Sequence, residues 1–169
     1  MKNIVRIHYT KVFILGETMK KPLLFSIAIS LGAGLLSSLF TLNSREIYQE
    51  LNKPPFSPPG WVFPIVWIIL YILMGVAAYL IVKSVSPERK LALTLYFAQL
   101  IVNVIWPILF FRFNAYFLSF LWIVVLWYLV SLTTRLFFRI NEKAGWLMVP
   151  YLLWVSFAVY LNLLISIIN

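Results

Sequence analysis

Residues 48–67 read YQELNKPPFSPPGWVFPIVW, and five of the chain's nine prolines, Pro54, Pro55, Pro58, Pro59 and Pro64, fall within them. Proline locks its own φ, removes an N–H donor and pushes the preceding residue toward extended conformations. The stretch therefore cannot be a helix from end to end. Residues 48–59 read as a stiff, extended loop, and residues 60–67 as the start of a helix with Pro64 tolerated in its first turns. Beyond Trp67 the apolar run continues to residue 82. The fold turns on what surrounds this junction of a rigid elbow with a long apolar segment.

Composition answers that the surrounding medium is lipid. The chain has 169 residues, 63% hydrophobic and 11% charged, with a mean hydropathy of +0.94. Soluble domains carry about 25% charged residues, so these few charges cannot cover a water-facing surface. The aromatic fraction is 18% and includes seven tryptophans. There is no cysteine, which excludes disulfides and thiolate chemistry. The net charge of +9 is not a nucleic-acid signature, because the basic residues flank apolar runs, where membrane proteins keep their anchors.

A spanning helix needs about 20 mainly apolar residues. Five segments qualify, roughly 22–42, 60–82, 91–111, 115–134 and 144–168, none containing Asp, Glu, Lys or Arg. The expected fold is an all-α membrane protein, a bundle of five transmembrane helices, with residues 1–21 as an N-terminal cytoplasmic segment. The breaks are the elbow, KSVSPERK (83–90), RFN (112–114) and RLFFRINEK (135–143). The very short third break predicts a tight hairpin of spans three and four. No internal repeat supports an inverted-repeat transporter plan.

Lys and Arg set the expected orientation. Lys2, Arg6, Lys11, Lys20, Lys21, Lys83, Arg89, Lys90, Arg135, Arg139 and Lys143 fall on one side, against Arg45, Lys53 and Arg112 on the other. The N-terminus is thus expected in the cytoplasm, and the elbow and C-terminus outside, in a multi-pass protein of the cell membrane. Residues 1–18 stand apart from this plan. Met19 is an alternative start, MKKPLLF, and Gly16-Glu17 can be encoded GGAGAA, which resembles a bacterial ribosome-binding site. The charge bias survives either start.

Ion-coupled transporters place ionisable residues within their spans, and here there are none. The single histidine, His8, lies in the leader. General acid–base catalysis needs a titratable group at the reacting atom, and metal sites need His, Cys or carboxylate clusters. These absences argue against a hydrolase, a metalloenzyme and a proton-driven pump, and call for no metal and no cofactor. Binding remains, or chemistry performed by the ligand itself.

Four helical stripes carry the remaining signal. Ser26, Ser30, Gly34 and Ser38 recur every four residues in span one, a spacing that lets helices approach closely, within one chain or between two copies. Span two aligns Trp67, Tyr71, Gly75 and Ala78; span three aligns Tyr96, Gln99, Asn103, Trp106 and Phe110; span five aligns Tyr151, Trp154, Ala158 and Asn162. Amides in lipid are costly without partners, so Gln99, Asn103 and Asn162 are expected to face inward, held by neighbouring helices or by a ligand. At about 1.5 Å per residue, Trp67 lies about 10 Å, Trp106 about 8 Å and Asn103 about 12 Å below the outer ends of their spans. Trp154 falls near mid-membrane, with Asn162 above it. Converging stripes would form an aromatic cup roofed by the elbow, with Tyr48 and Pro58 in the roof and the elbow as a candidate ligand gate. Trp61 and Trp146 start their spans and read as interfacial belt residues. Trp122 and Trp127 in span four have no polar companions and read as facing lipid or core. An uncharged aromatic cup with amides suits a large, flat, mostly apolar ligand such as a tetrapyrrole or sterol.

The same residues resemble the translocator protein family (TspO, also called the peripheral benzodiazepine receptor or tryptophan-rich sensory protein family). The likeness covers about residues 22–169. It rests on Tyr48, Leu51, Lys53-Pro54, Pro58-Pro59, Trp61, Phe63, Trp67, Tyr71 and Gly75; on Asn103, Trp106 and Phe110-Phe111; and on Pro150-Tyr151, Trp154, Ala158 and Leu161-Asn162. It implies a five-helix bundle, often a homodimer, with a pocket open toward the first loop. The resemblance further implies binding of porphyrins, notably protoporphyrin IX, and in animals of cholesterol and benzodiazepine-type drugs. Some bacterial members promote light-dependent breakdown of bound protoporphyrin, and the tryptophans tied to that activity match Trp67 and Trp154. Pocket contacts carry over onto Asn103, Trp106 and Ala158. One departure concerns sterol-like lipids: nothing basic follows Tyr160 before Asn169, so the sterol pattern of animal members is incomplete. Three functions follow as expectations: a porphyrin receptor with light-driven turnover, a porphyrin exporter or import channel, and a sensory scaffold acting through a partner.

Overall fold

The computed structural model describes residues 2–169, with side chains from Lys21 onward; His8 and the alternative start at Met19 lie outside the described side chains. The elements are α1 (Lys2–Leu39), α2 (Ser44–Glu50), α3 (Val62–Val82), α4 (Arg89–Pro107) continued by a π-helical turn (Ile108–Arg112), α5 (Tyr116–Ile140) and α6 (Glu142–Ile168). Five of these are long and apolar enough to cross a membrane, counting α1 from Lys21 and α4 with its π turn. In lipid a backbone must satisfy its own hydrogen bonds, which a helix does within one segment. The all-helical bundle is the direct consequence.

Two helix boundaries differ from the sequence reading, each for a local reason. The break expected at 135–143 shrinks to Asn141 alone. Leu136 and Phe137 are buried while Arg135 and Arg139 face outward, so the helix continues with its charges on one side. Asn141 then turns extended (φ −154°, ψ 111°) and caps α6 by accepting the Ala144 N–H at 3.1 Å. In the elbow, residues 44–50 form the short helix α2, so the irregular loop begins at Leu51 rather than Tyr48. The short turn between spans three and four does form the predicted hairpin. There Pro107 cannot donate to the Asn103 carbonyl, and the chain widens into the π turn that carries Phe110 before Asn114 reverses it at φ 50°.

The helices close a ring in which α1 lies against α3, α3 against α6, α6 against α5, α5 against α4, and α4 back against α1. Small residues set the spacing. A Cβ on Gly75 would stand 2.6 Å from the Ile27 backbone, and one on Gly34 would collide with the Tyr71 ring. The span-one stripe is therefore used within the chain: Gly34 seats Tyr71, and the Ser30 hydroxyl pairs with the Tyr96 hydroxyl at 2.6 Å. In α5, Ser131, Thr133 and Thr134 return their hydroxyl protons to carbonyls one turn back, which keeps them satisfied in an apolar medium. Where α3 passes to α4 and α5 to α6, Arg139 meets Glu88 at 2.9 Å and ties the two connections together at the end opposite the elbow.

Candidate functional site

At the centre of the ring the expected stripes meet. Tyr71 on α3 donates to Asn103 Oδ1 at 2.8 Å; Asn103 Nδ2 donates to the Tyr151 hydroxyl at 2.8 Å; that hydroxyl donates to Gln99 Oε1 at 2.9 Å. All four residues are buried. Gln99 Nε2 completes its contacts against Met74 Sδ at 3.9 Å. Three helices are thus joined by one neutral chain of donors and acceptors. Nearer the elbow, Trp106 Nε1 donates to Asn162 Oδ1 at 3.0 Å, and Asn162 Nδ2 donates to the Ala158 carbonyl at 2.8 Å. Among the described residues no buried side-chain nitrogen or oxygen lacks a partner. The amides face inward as read, and helix-to-helix bonding satisfies them.

Trp67 and Trp154 belong to different aromatic groups. Trp67 stacks on Tyr71 with centroids 5.5 Å apart and meets Tyr151 edge-on at 6.1 Å, which ties it to the buried network. Trp154 instead joins an arch running along the elbow end. Tyr48 meets Phe63 at 5.1 Å, Phe63 meets Trp154 at 5.9 Å, Trp154 meets Phe157 at 6.0 Å, and Phe157 stacks on Tyr160 at 6.2 Å. The Tyr160 hydroxyl then reaches back to the Pro55 carbonyl at 3.4 Å. Phe110 sits apart from both groups, buried among Trp106, Phe111 and Tyr116 in the π turn.

The elbow is pinned rather than merely stiff. Tyr48 is buried and donates to the Pro58 carbonyl at 2.8 Å, so the two expected roof residues hold each other. Burial raises the Tyr48 phenol above its usual pKa, with a smaller opposing effect from a hydrogen bond with Ser57. It is accordingly a neutral donor at physiological pH. Lys53 Nζ lies over the Tyr48 ring, 5.3 Å from its centre. The Asn169 side chain clasps Asn52, accepting its N–H at 2.9 Å and donating to its carbonyl at 3.1 Å. Phe56, at φ 66°, forms the exposed tip of the loop.

Beside the arch, α3 and α6 part to leave an open groove of about 490 Å³ lined by Val66, Ile69, Leu70, Pro150, Leu153, Trp154 and Phe157. Every lining residue is apolar. The volume falls in the range of small-molecule sites, about 300–1,000 Å³.

The profile of the TspO/MBR family matches residues 26–168. The chain belongs to the TspO/MBR family. It is similar to the tryptophan-rich protein TspO of Chlorobaculum tepidum, 38% identical over 85% of this chain and 92% of that one. It is similar also to the tryptophan-rich sensory protein of Cereibacter sphaeroides (39%, over 72% and 75%) and to the human translocator protein (31%, over 82% and 83%).

In this TspO/MBR protein the structure brings Trp67, Tyr71, Asn103 and Tyr151 together at the centre. It places Trp106, Ala158 and Asn162 on a second bonded cluster, and Tyr48 with Pro58 in the pinned elbow. Trp61 and Trp146 are exposed at their helix starts, as belt residues would be. Trp122 and Trp127 do have polar companions, against the sequence reading: Trp122 Nε1 donates to the Val102 carbonyl and Trp127 Nε1 to Ser156, both at 2.9 Å. Their polar companions sit on other helices, where a one-helix stripe cannot show them. Sequence reasoning gave no site role to Phe63, Phe157 or Asn169. The first two were detectable as aromatics three or four residues from Trp67 and Trp154; the clasp of Asn169 on Asn52 had no local signal.

Proposed function

We propose that this TspO/MBR protein is a membrane receptor for porphyrins such as protoporphyrin IX, able to promote their light-dependent breakdown. The supporting observation is Trp154 in the wall of an open, uncharged groove between α3 and α6, with Trp67 on the neighbouring helix. A flat macrocycle gains from apolar burial at about 25 cal/mol per Å² and from offset stacking on indole. Asn103, Trp106 and Ala158 are further candidate ligand contacts carried over from the family resemblance, with Phe110 and Asn162 from the same stripes, and sterol-like lipids are secondary candidate ligands. Trp67 and Trp154 are the candidates to stack on the ring and exchange electrons with it under light. Spans without ionisable residues favour a receptor over energised transport. We place the protein in the cell membrane with its N-terminus cytoplasmic and its C-terminus outside, on the Lys and Arg bias. A homodimer is the assembly the family resemblance suggests, with a contact that excludes the Ser30 and Gly34 positions already covered by α4 and α3.

The test titrates protoporphyrin IX into purified protein, follows tryptophan quenching, and then illuminates. Saturable quenching and bleaching of the porphyrin band are expected, with both diminished in the Trp67→Phe, Trp154→Phe double variant. Quenching that never saturates would end the receptor reading; binding without bleaching would leave a receptor without photochemistry.

A further inference from the structure

We infer that the groove between α3 and α6 is a lateral entrance, through which a planar apolar ligand dissolved in the bilayer reaches Trp154 without passing the elbow. The inference rests on the porphyrin-receptor reading and adds the route. Two independent observations carry it. First, the elbow is shut by several bonds from different elements: Tyr48 to Pro58, both polar groups of Asn52 to Asn169, and Tyr160 to Pro55. Opening it requires releasing the end of α6 as well as the loop. Second, all seven groove residues lie inside the membrane-crossing stretches Val62–Val82 and Glu142–Ile168. Along α3 they begin about 6 Å and end about 12 Å past its first residue, so the mouth opens at hydrocarbon depth.

The rim is apolar and accessible. Ile69 is 53% and Leu153 65% exposed, on opposite lips, while Leu70 forms the floor at 3%. A porphyrin held in the bilayer, with its propionates at the headgroups, meets this mouth with its apolar ring edge, and no charged side chain lines the way. Trp154 lines the groove with its ring held by contacts to Phe63 and Phe157. A route through the elbow would instead expose the ligand to water and break four hydrogen bonds.

The chain holds no cysteine, which permits a clean test. Protein in phosphatidylcholine vesicles receives protoporphyrin IX from donor vesicles, and the association rate is read from porphyrin emission. The Ile69→Phe, Leu153→Phe double variant, which narrows the mouth, is expected to slow association about tenfold or more. Leu153→Ala, which widens it, is expected to hold or raise the rate. An Asn52→Cys, Asn169→Cys variant closed by a short thiol cross-linker is expected to stay within about twofold of its uncross-linked form. Slowing by the cross-link equal to that of the narrowed mouth would overturn the lateral route. So would an unchanged rate in the narrowed variant, which would leave the groove as a seat for lipid acyl chains only. Failure of the unmodified protein to bind is a separate result, which removes the receptor reading and the entrance together.

Discussion

The network around Asn103 and the arch around Trp154 are built from similar side chains, yet they end in opposite states. In the first, Tyr71, Asn103, Tyr151 and Gln99 spend their donors and acceptors on one another and are buried. In the second, Phe63, Trp154 and Phe157 meet only through ring faces and edges, and one side of Trp154 borders an open groove. Polar groups in lipid must be satisfied, which drives them to converge and close. Apolar rings carry no such demand, and they can leave surface for a ligand at little cost. The contrast separates the part of the bundle that holds it together from the part available for binding.

The strongest way to break that division is Asn103→Ala. It strands the Tyr71 hydroxyl in a buried site and leaves the Tyr151 hydroxyl only its bond to Gln99, an expected loss of about 1–3 kcal/mol that thermal unfolding in detergent would read as a lower midpoint. If Leu153→Ala lowers the midpoint as much, stability does not reside in the network. Next comes Trp154→Ala, expected to weaken protoporphyrin IX binding about tenfold, or 1.4 kcal/mol, with a smaller effect on the unfolding midpoint than Asn103→Ala. Equal affinity in variant and parent would remove the arch from the site.

Smaller effects sharpen the role of the elbow. Glycine at both Pro58 and Pro59 raises the entropy lost on ordering the roof by about 0.4–1 kcal/mol per position. Porphyrin affinity should fall a few-fold, and unchanged affinity in the titration would show that the roof does not contact the ligand. Least of all, Asn169→Ala removes the two exposed hydrogen bonds to Asn52 and one to the Ile165 carbonyl, where solvent keeps each near the low end of about 0.5–1.5 kcal/mol. Amide exchange at Asn52 should quicken while the α3 and α6 cores keep their protection; an unaltered rate at Asn52 would mean that the clasp is not needed to hold the elbow.

Much of this protein was legible in one dimension, because lipid imposes its rules residue by residue. Five charge-free apolar runs had to become helices, the prolines had to interrupt them at the elbow, and lone amides such as Asn103 had to turn inward. Small residues such as Gly34 and Gly75 marked close contacts, although not which helix each would touch. The tertiary structure decided the pairings. Asn103 between two tyrosines, Trp122 on the Val102 carbonyl and Asn169 on Asn52 all join residues far apart in the chain, and no local period encodes such meetings. It also decided that Trp67 turns to the closed centre and Trp154 to an open groove. A stripe shows which face of a helix is apolar, whereas the angle between two helices sets whether that face is filled or left as a site.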